Sequence, residues 1–221
     1  MRDIVIEKIL SDKIIAIVRG IEVDKIIPLT KAISEGGIKM VEITFDQGNP
    51  DSFSLTAEGI HAISKDFAGE VLVGAGTVCT MEQLKLAKEA GALYIITPVT
   101  DPELIKEVRR LGLVAIPGAL TPTECLIAHK AGADFIKLFP LGNLGVNYLK
   151  AIRAPLSHLK FLGVGGVNEN TIGDYLDGGA VGCGVGGNLV NKNWIEAGEF
   201  HKIEVVARKL VEAVQVHKVK S

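Results

Sequence analysis

Two residues in this chain combine a reactive side chain with a place where such a side chain is costly: Lys137 and Glu42. Lys137 stands in the middle of Asp134-Phe135-Ile136-Lys137-Leu138-Phe139-Pro140, an apolar run set off by Ala131-Gly132-Ala133 before it and by Pro140 and Gly142 after it. That pattern predicts a short buried strand. Alternate residues of a strand face opposite sides, so Phe135, Lys137 and Phe139 share one face and Ile136 and Leu138 the other. An ammonium ion taken out of water finds a partner or gives up its proton. A lysine neutral near pH 7 is a nucleophile for carbonyl carbon and can form a Schiff base. The plain alternative is a lysine whose stem lines a groove while its charge reaches water.

Glu42 falls in a second apolar run, residues 39–45, where it shares a face with Met40 and Thr44, opposite Val41, Ile43 and Phe45. A carboxylate inside a strand buried on both faces needs a partner or holds its proton. Schiff-base chemistry needs such a group, to move protons at the carbinolamine and at the carbon alpha to the imine. The plain alternative here is a buried ion pair with Lys137 or Arg19 and no catalysis.

The elements that would position these two groups repeat along the chain. A short amphipathic helix at 4–10 comes first, then a strand at 14–18 ending in Arg19-Gly20 and a helix at 23–35 stopped by Gly36-Gly37. Further strands are expected at 71–73, 93–97, 114–117, 161–164 and 180–185. The helices between them are expected at 50–64, 81–90, 101–111, 122–131, 169–176 and 194–216. Eight apolar strands alternating with helices predict an all-parallel sheet covered on both faces. The expected fold is α/β: a single (β/α)8 TIM barrel spanning 1–221 with a short N-terminal helix. A doubly wound open sheet is the alternative, but its glycine fingerprint is absent after the first strand, which ends Val18-Arg19-Gly20.

In a parallel barrel the active groups come from the C-terminal ends of the strands. Those positions hold Arg19, Glu42 and Thr44, then Gly74-Ala75-Gly76-Thr77, Thr97-Pro98, Pro117-Gly118 and Lys137. Strands seven and eight end in Val164-Gly165-Gly166 and Val185-Gly186-Gly187-Asn188. Two glycine doublets on adjacent strands let backbone N–H groups approach an anion, and barrels often hold phosphate at this pair of loops. The five histidines, His61, His129, His158, His201 and His217, lack metal-ligand spacing and read as surface residues. Asp101 reads as a helix cap and Asp134 as a strand-edge residue.

Composition excludes other classes. The chain has 221 residues and a net charge of −2 with no basic stripe, which argues against nucleic-acid binding. No apolar run approaches the ~20 residues a membrane helix needs, and the N-terminus lacks an apolar signal core. Three cysteines, Cys79, Cys125 and Cys183, without C-x-x-C spacing read as buried reduced thiols. A cytoplasmic, globular protein is expected.

The motifs Val41-Glu42-Ile43-Thr44, Gly74-Ala75-Gly76-Thr77-Val78, Ile96-Thr97-Pro98, Ile116-Pro117-Gly118, Phe135-Ile136-Lys137-Leu138-Phe139-Pro140 and Gly165-Gly166-Val167, in that order across nearly the whole chain, resemble the class I aldolases. They resemble in particular those acting on 2-keto-3-deoxy-6-phosphogluconate (KDPG) and 4-hydroxy-2-oxoglutarate (KHG). The resemblance implies a trimeric TIM barrel without metal or organic cofactor, whose partner is a small keto-acid substrate. It implies Lys137 as the Schiff-base lysine and Glu42 as an acid/base acting with a bound water. It implies Thr77, the Gly76 backbone and Arg19 around the pyruvyl carboxylate, with Thr44 also at the substrate. It implies further that Pro98, Phe139 and Val164 shape the pocket and that Gly165, Gly166, Gly186 and Gly187 meet the phosphate.

Three positions depart from the family pattern. Asp46 stands where many members carry an arginine, Val164 where many carry a threonine, and Gly187 where a serine is expected. The second departure resembles the branch that accepts the galactonate epimer, and the third makes an unphosphorylated substrate an alternative. Two rival readings also follow from the residues. One is a non-covalent sugar-phosphate isomerase or epimerase using Glu42 as base. The other is a silent barrel that binds a sugar acid.

Overall fold

A computed structural model of the chain describes residues 1–218, with side chains through residue 216. Nine strands form one parallel sheet: β1 (Ile14–Val18), β2 (Met40–Thr44), β3 (Leu72–Gly76), β4 (Tyr94–Ile96), β5 (Val114–Ile116), β6 (Gly118–Ala119), β7 (Ile136–Leu138), β8 (Phe161–Val164) and β9 (Gly182–Val185). Their order is β5-β4-β3-β2-β1-β9-β8-β7-β6. The two ends of that order are consecutive in the chain, separated only by Pro117. The expected fifth strand is therefore one crossing of the barrel, split where proline has no N–H to give. β5 bonds to β4 and β6 to β7, so the ring closes and the open-sheet alternative is set aside.

Helices α1 (Arg2–Asp12), α2 (Val23–Glu35), α3 (Phe53–Asp66), α4 (Met81–Glu89), α5 (Pro102–Arg110), α6 (Pro122–Lys130), α7 (Gly145–Arg153), α8 (Ile172–Asp177), α9 (Lys192–Glu196) and α10 (Phe200–Lys218) alternate with the strands. Asp101 caps α5 as expected, and Thr80 with Gln83 and Thr121 with Glu124 form capping boxes on α4 and α6. Two expectations are corrected. α7 has no counterpart among the expected helices, because it opens on Gly145-Val146-Asn147 and buries only Leu149 and Ile152. The expected terminal helix is two, since Gly198, at φ 70°, turns the chain between α9 and α10.

The strand alternation creates two cores. Outward residues such as Val41, Ile43, Ile136 and Leu138 pack under the helices. Inward residues Ile15, Met40, Tyr94, Ile96, Phe135 and Leu162 fill the barrel and are plugged from below by Val5 and Ile9 of α1. Asp134 latches that plug: it accepts from Arg2 of α1, Arg109 of α5 and the Ala115 N–H. Packing thus fills the N-terminal end of the barrel and leaves the C-terminal end to the polar groups.

Candidate active site

Lys137 lies at the centre of β7, only 5% exposed. Its backbone N–H donates to Pro117 O at 2.9 Å, so the broken fifth crossing fixes its height in the ring. Burial pushes its amine below the ordinary 10.5; Glu42 opposes that shift, Arg19 adds to it and Cys79 opposes it. Its Nζ stands 5.0 Å from the centre of the Phe139 ring.

Glu42 on β2 is fully buried, and neither carboxylate oxygen accepts a hydrogen bond from the protein among the described residues. Burial raises its carboxyl above 4.5, against the pull of Lys137 and Arg19. Burial thus works against the charged form of both groups, while each charge favours the other.

The space for that acid is made by β3. Its inward positions 74 and 76 are glycines. A Cβ on Gly74 would lie 2.2 Å from the Tyr94 ring, and one on Gly76 would lie 1.6 Å from Glu42 Oε1. Tyr94 from β4 and Glu42 from β2 fold over those bare positions.

Above them, Arg19 Nη2 donates to Thr77 Oγ1 at 3.1 Å, and Thr77 itself has φ 54°, a conformation few threonines adopt. Arg19, Thr77, Pro98, Lys137, Phe139 and Val164 line a cavity of about 470 Å³, together with Gly165, Gly166, Gly186, Gly187 and Asn188. Gly165 and Gly166 both have positive φ, 114° and 69°. Gly187 is unconstrained, with nothing within 4 Å of an added Cβ.

The residues named from sequence are therefore not all gathered in one wall. Glu42 and Gly76 do not line the cavity. Thr44, buried with an unpartnered hydroxyl, lines a second cavity of about 470 Å³ beside α2 and α3, which shares Arg19 with the first. Asp46 lines that second cavity too, and its Oδ1 accepts from the Gly48 N–H at 3.0 Å.

Comparison with known proteins decides what this arrangement belongs to. The profile of the family described as KDPG and KHG aldolase matches residues 5–206. The chain belongs to the KDPG and KHG aldolase family. The 2-dehydro-3-deoxy-phosphogluconate aldolase of Haemophilus influenzae is 31% identical over 214 residues, 96% of this chain and 97% of that one. The 2-dehydro-3-deoxy-6-phosphogalactonate aldolase of Escherichia coli K12 is 33% identical over 177 residues, 80% and 83% of the two chains. Among solved structures, the KDPG aldolase of Legionella pneumophila, with pyruvate captured as a covalent carbinolamine intermediate, superposes with a TM-score of 0.83 at 25% identity, covering 93% and 97%. This is a class I, Schiff-base aldolase, a lyase that cleaves a keto-sugar acid to pyruvate and an aldehyde.

Within this aldolase, sequence reading did not single out Tyr94, Gln47, Ile17 or Asn188. Tyr94 forms the fully buried floor under Glu42; burial above all, and Glu42 beside it, push its phenol up from the ordinary value. The alternation of Gly74 and Gly76 carried the signal for it, since small residues on one face imply large ones opposite. His61, His129, His158 and His201 are exposed as expected, while the side chain of His217 lies outside the described residues. Cys125 and Cys183 are buried free thiols, but Cys79 is only half-buried, a correction that follows from its place in the loop after β3. Among the described residues no helix is long and apolar enough to cross a membrane.

Proposed function

We propose that Lys137 is the Schiff-base lysine of a reversible retro-aldol cleavage of a 2-keto-3-deoxy-(6-phospho)sugar acid or 4-hydroxy-2-oxoglutarate. The observation that carries this reading is the pairing of a nearly buried amine with a fully buried, unpartnered carboxyl inside one ring of strands. The Lys137 amine attacks the C2 ketone; the carbinolamine takes up a proton, loses water and leaves a protonated imine. The C4 hydroxyl then gives up its proton as the C3–C4 bond breaks, releasing an aldehyde, glyceraldehyde 3-phosphate or glyoxylate. The bonding electrons pass into the imine to give an enamine. Protonation at C3 and hydrolysis free pyruvate and the lysine. Glu42 moves the protons, acting with a bound water. Arg19 with Thr77 and the Gly76 backbone holds the substrate carboxylate, and Pro98, Phe139 and Val164 shape the pocket. Thr44 contributes at the neighbouring cavity. The whole chain serves as one barrel, needs no metal or cofactor, and works in the cytoplasm as a homotrimer.

A depressed amine value moves the pH profile in a defined direction. The neutral form of Lys137 accumulates below the ordinary lysine value of 10.5, so the rate of imine formation with pyruvate rises with pH and levels off below that value. Borohydride trapping rates measured across the pH range test this; a limb centred at the free-lysine value would mean that the amine stays solvated.

The distal end of the substrate meets Gly165, Gly166, Gly186 and Gly187. No lysine or arginine lines that side of the cavity among the described residues; Arg19 stands with Thr77 and Lys137 is the nucleophile. This favours a second reading, in which the substrate is unphosphorylated or its phosphate is held by N–H groups alone. Val164, without a threonine hydroxyl, likewise favours tolerance of the galactonate configuration at C4. A coupled pyruvate assay over phosphorylated and free gluconate- and galactonate-derived keto acids, plus 4-hydroxy-2-oxoglutarate, separates these. We expect the ratio of kcat/KM for phosphorylated over free acids to rise in Gly187→Ser, because the site has room for that side chain. An unchanged ratio places the phosphate elsewhere.

A further inference from the structure

Thr77 is held in an unusual backbone conformation by three different elements. The carbonyl of Gly76 before it accepts from Phe45 N at 2.9 Å, and the N–H of Val78 after it donates to Ile96 O at 3.3 Å. Its hydroxyl accepts from Arg19. Its own carbonyl accepts from Gln47 Nε2 at 2.7 Å, the one side-chain hydrogen bond made to this turn's backbone oxygens among the described residues. The Thr77 N–H has no protein acceptor among the described residues.

Gln47 is delivered by a loop with its own internal turn. Asp46 Oδ1 accepts from Gly48 N, Asp46 O accepts from Asn49 N at 3.2 Å, and Phe45 anchors the loop base edge-on against Phe53, with ring centres 5.4 Å apart. An aspartate at the start of such a turn forms it readily. Asp46 therefore builds the turn that aims the next side chain, rather than supplying charge to the catalytic cavity.

A non-glycine residue at positive φ is strained and persists only where its surroundings over-determine it. Gln47 is exposed, so burial does not account for its short bond across to the carboxylate-binding turn. We infer that Gln47 is a positioning residue for substrate: it holds the Thr77 peptide so that the hydroxyl and N–H of Thr77 stay aimed at the ketoacid carboxylate. This inference rests on the reading above that Thr77 meets that carboxylate.

The experiment uses pyruvate alone, so it does not depend on which sugar acid is natural. Lys137 is trapped with borohydride at graded pyruvate concentrations in the wild type, Gln47→Ala and Gln47→Glu. The glutamate is isosteric but, ionised, cannot donate to a carbonyl. Both variants should need about threefold to tenfold more pyruvate for half-maximal trapping, the range of one hydrogen bond's net worth, with kcat for cleavage nearly unchanged and melting temperature preserved. Asp46→Ala should shift the same way by less, through the loosened turn. If the wild type traps pyruvate and the Gln47 variants trap at the same concentrations, the inference is overturned. A fall in melting temperature or in kcat with an unmoved pyruvate dependence overturns it as well, since that is what a merely structural role would give. If the wild type traps no pyruvate at all, the reading of Lys137 and Thr77 fails first.

Discussion

Lys137→Met should remove pyruvate release by at least about 10⁴-fold, because every covalent step passes through that amine and no other group in the ring can replace it. The substitution keeps an unbranched side chain of similar length, so β7 and its bond from the Lys137 N–H to Pro117 O should survive. Loss of activity is then attributable to chemistry and not to collapse of the barrel. The variant also changes Glu42. The charge of Lys137 pulls the Glu42 carboxyl down, so without it that carboxyl should titrate higher still. Steady-state pyruvate release measured beside thermal unfolding checks the prediction. A variant retaining even a hundredth of wild-type turnover would mean that cleavage does not pass through an imine on Lys137.

Gly76→Ala should be the most damaging single methyl in the molecule. An added Cβ would sit 1.6 Å from Glu42 Oε1 and 2.4 Å from Glu42 Cδ, so the fully buried acid must move to admit it. Overpacking of this kind typically costs about 1–3 kcal/mol. Displacing a proton-transfer group costs on the order of 10²–10⁴-fold in rate. We expect kcat to fall by that much in a barrel that still folds, with pyruvate trapping slowed in parallel. Gly187→Ala is the contrast: its added Cβ meets nothing within 4 Å, so its melting temperature should match wild type. Equal thermal stability and near-normal kcat in Gly76→Ala would mean that Glu42 stands elsewhere during turnover.

The strands were legible because parity alone assigns their faces. Phe135 and Met40 do lie inside the barrel with α1, while Ile136, Leu138, Val41 and Ile43 pack under the helices, as alternation requires. Lys137 and Glu42 stood out for the same reason: a charge on an inward face of a strand has no cheap explanation. The features without a local signal are set by sequence-distant contacts or by weak local patterns. Pro117 looked like the end of a strand, yet the chain resumes pairing one residue later with β7 and closes the ring. Residues 145–153 form a helix although they begin with glycine and asparagine, because Leu149 and Ile152 find the outer core. Thr44 has the parity of Glu42, yet it lines the neighbouring cavity, which parity alone does not reveal. Gln47 has no local signature at all, since its partner is thirty residues away in sequence.

The central claim is that the nearly buried Lys137 forms a covalent bond with the C2 carbonyl of the substrate. Incubating the protein with pyruvate, reducing with borohydride and mapping the modified peptide by mass spectrometry tests it directly. The account predicts a single reduced pyruvyl adduct on Lys137, absent without pyruvate and absent in Lys137→Met. An unmodified Lys137 in protein that is releasing pyruvate from its substrate, or an adduct on another lysine, would contradict it.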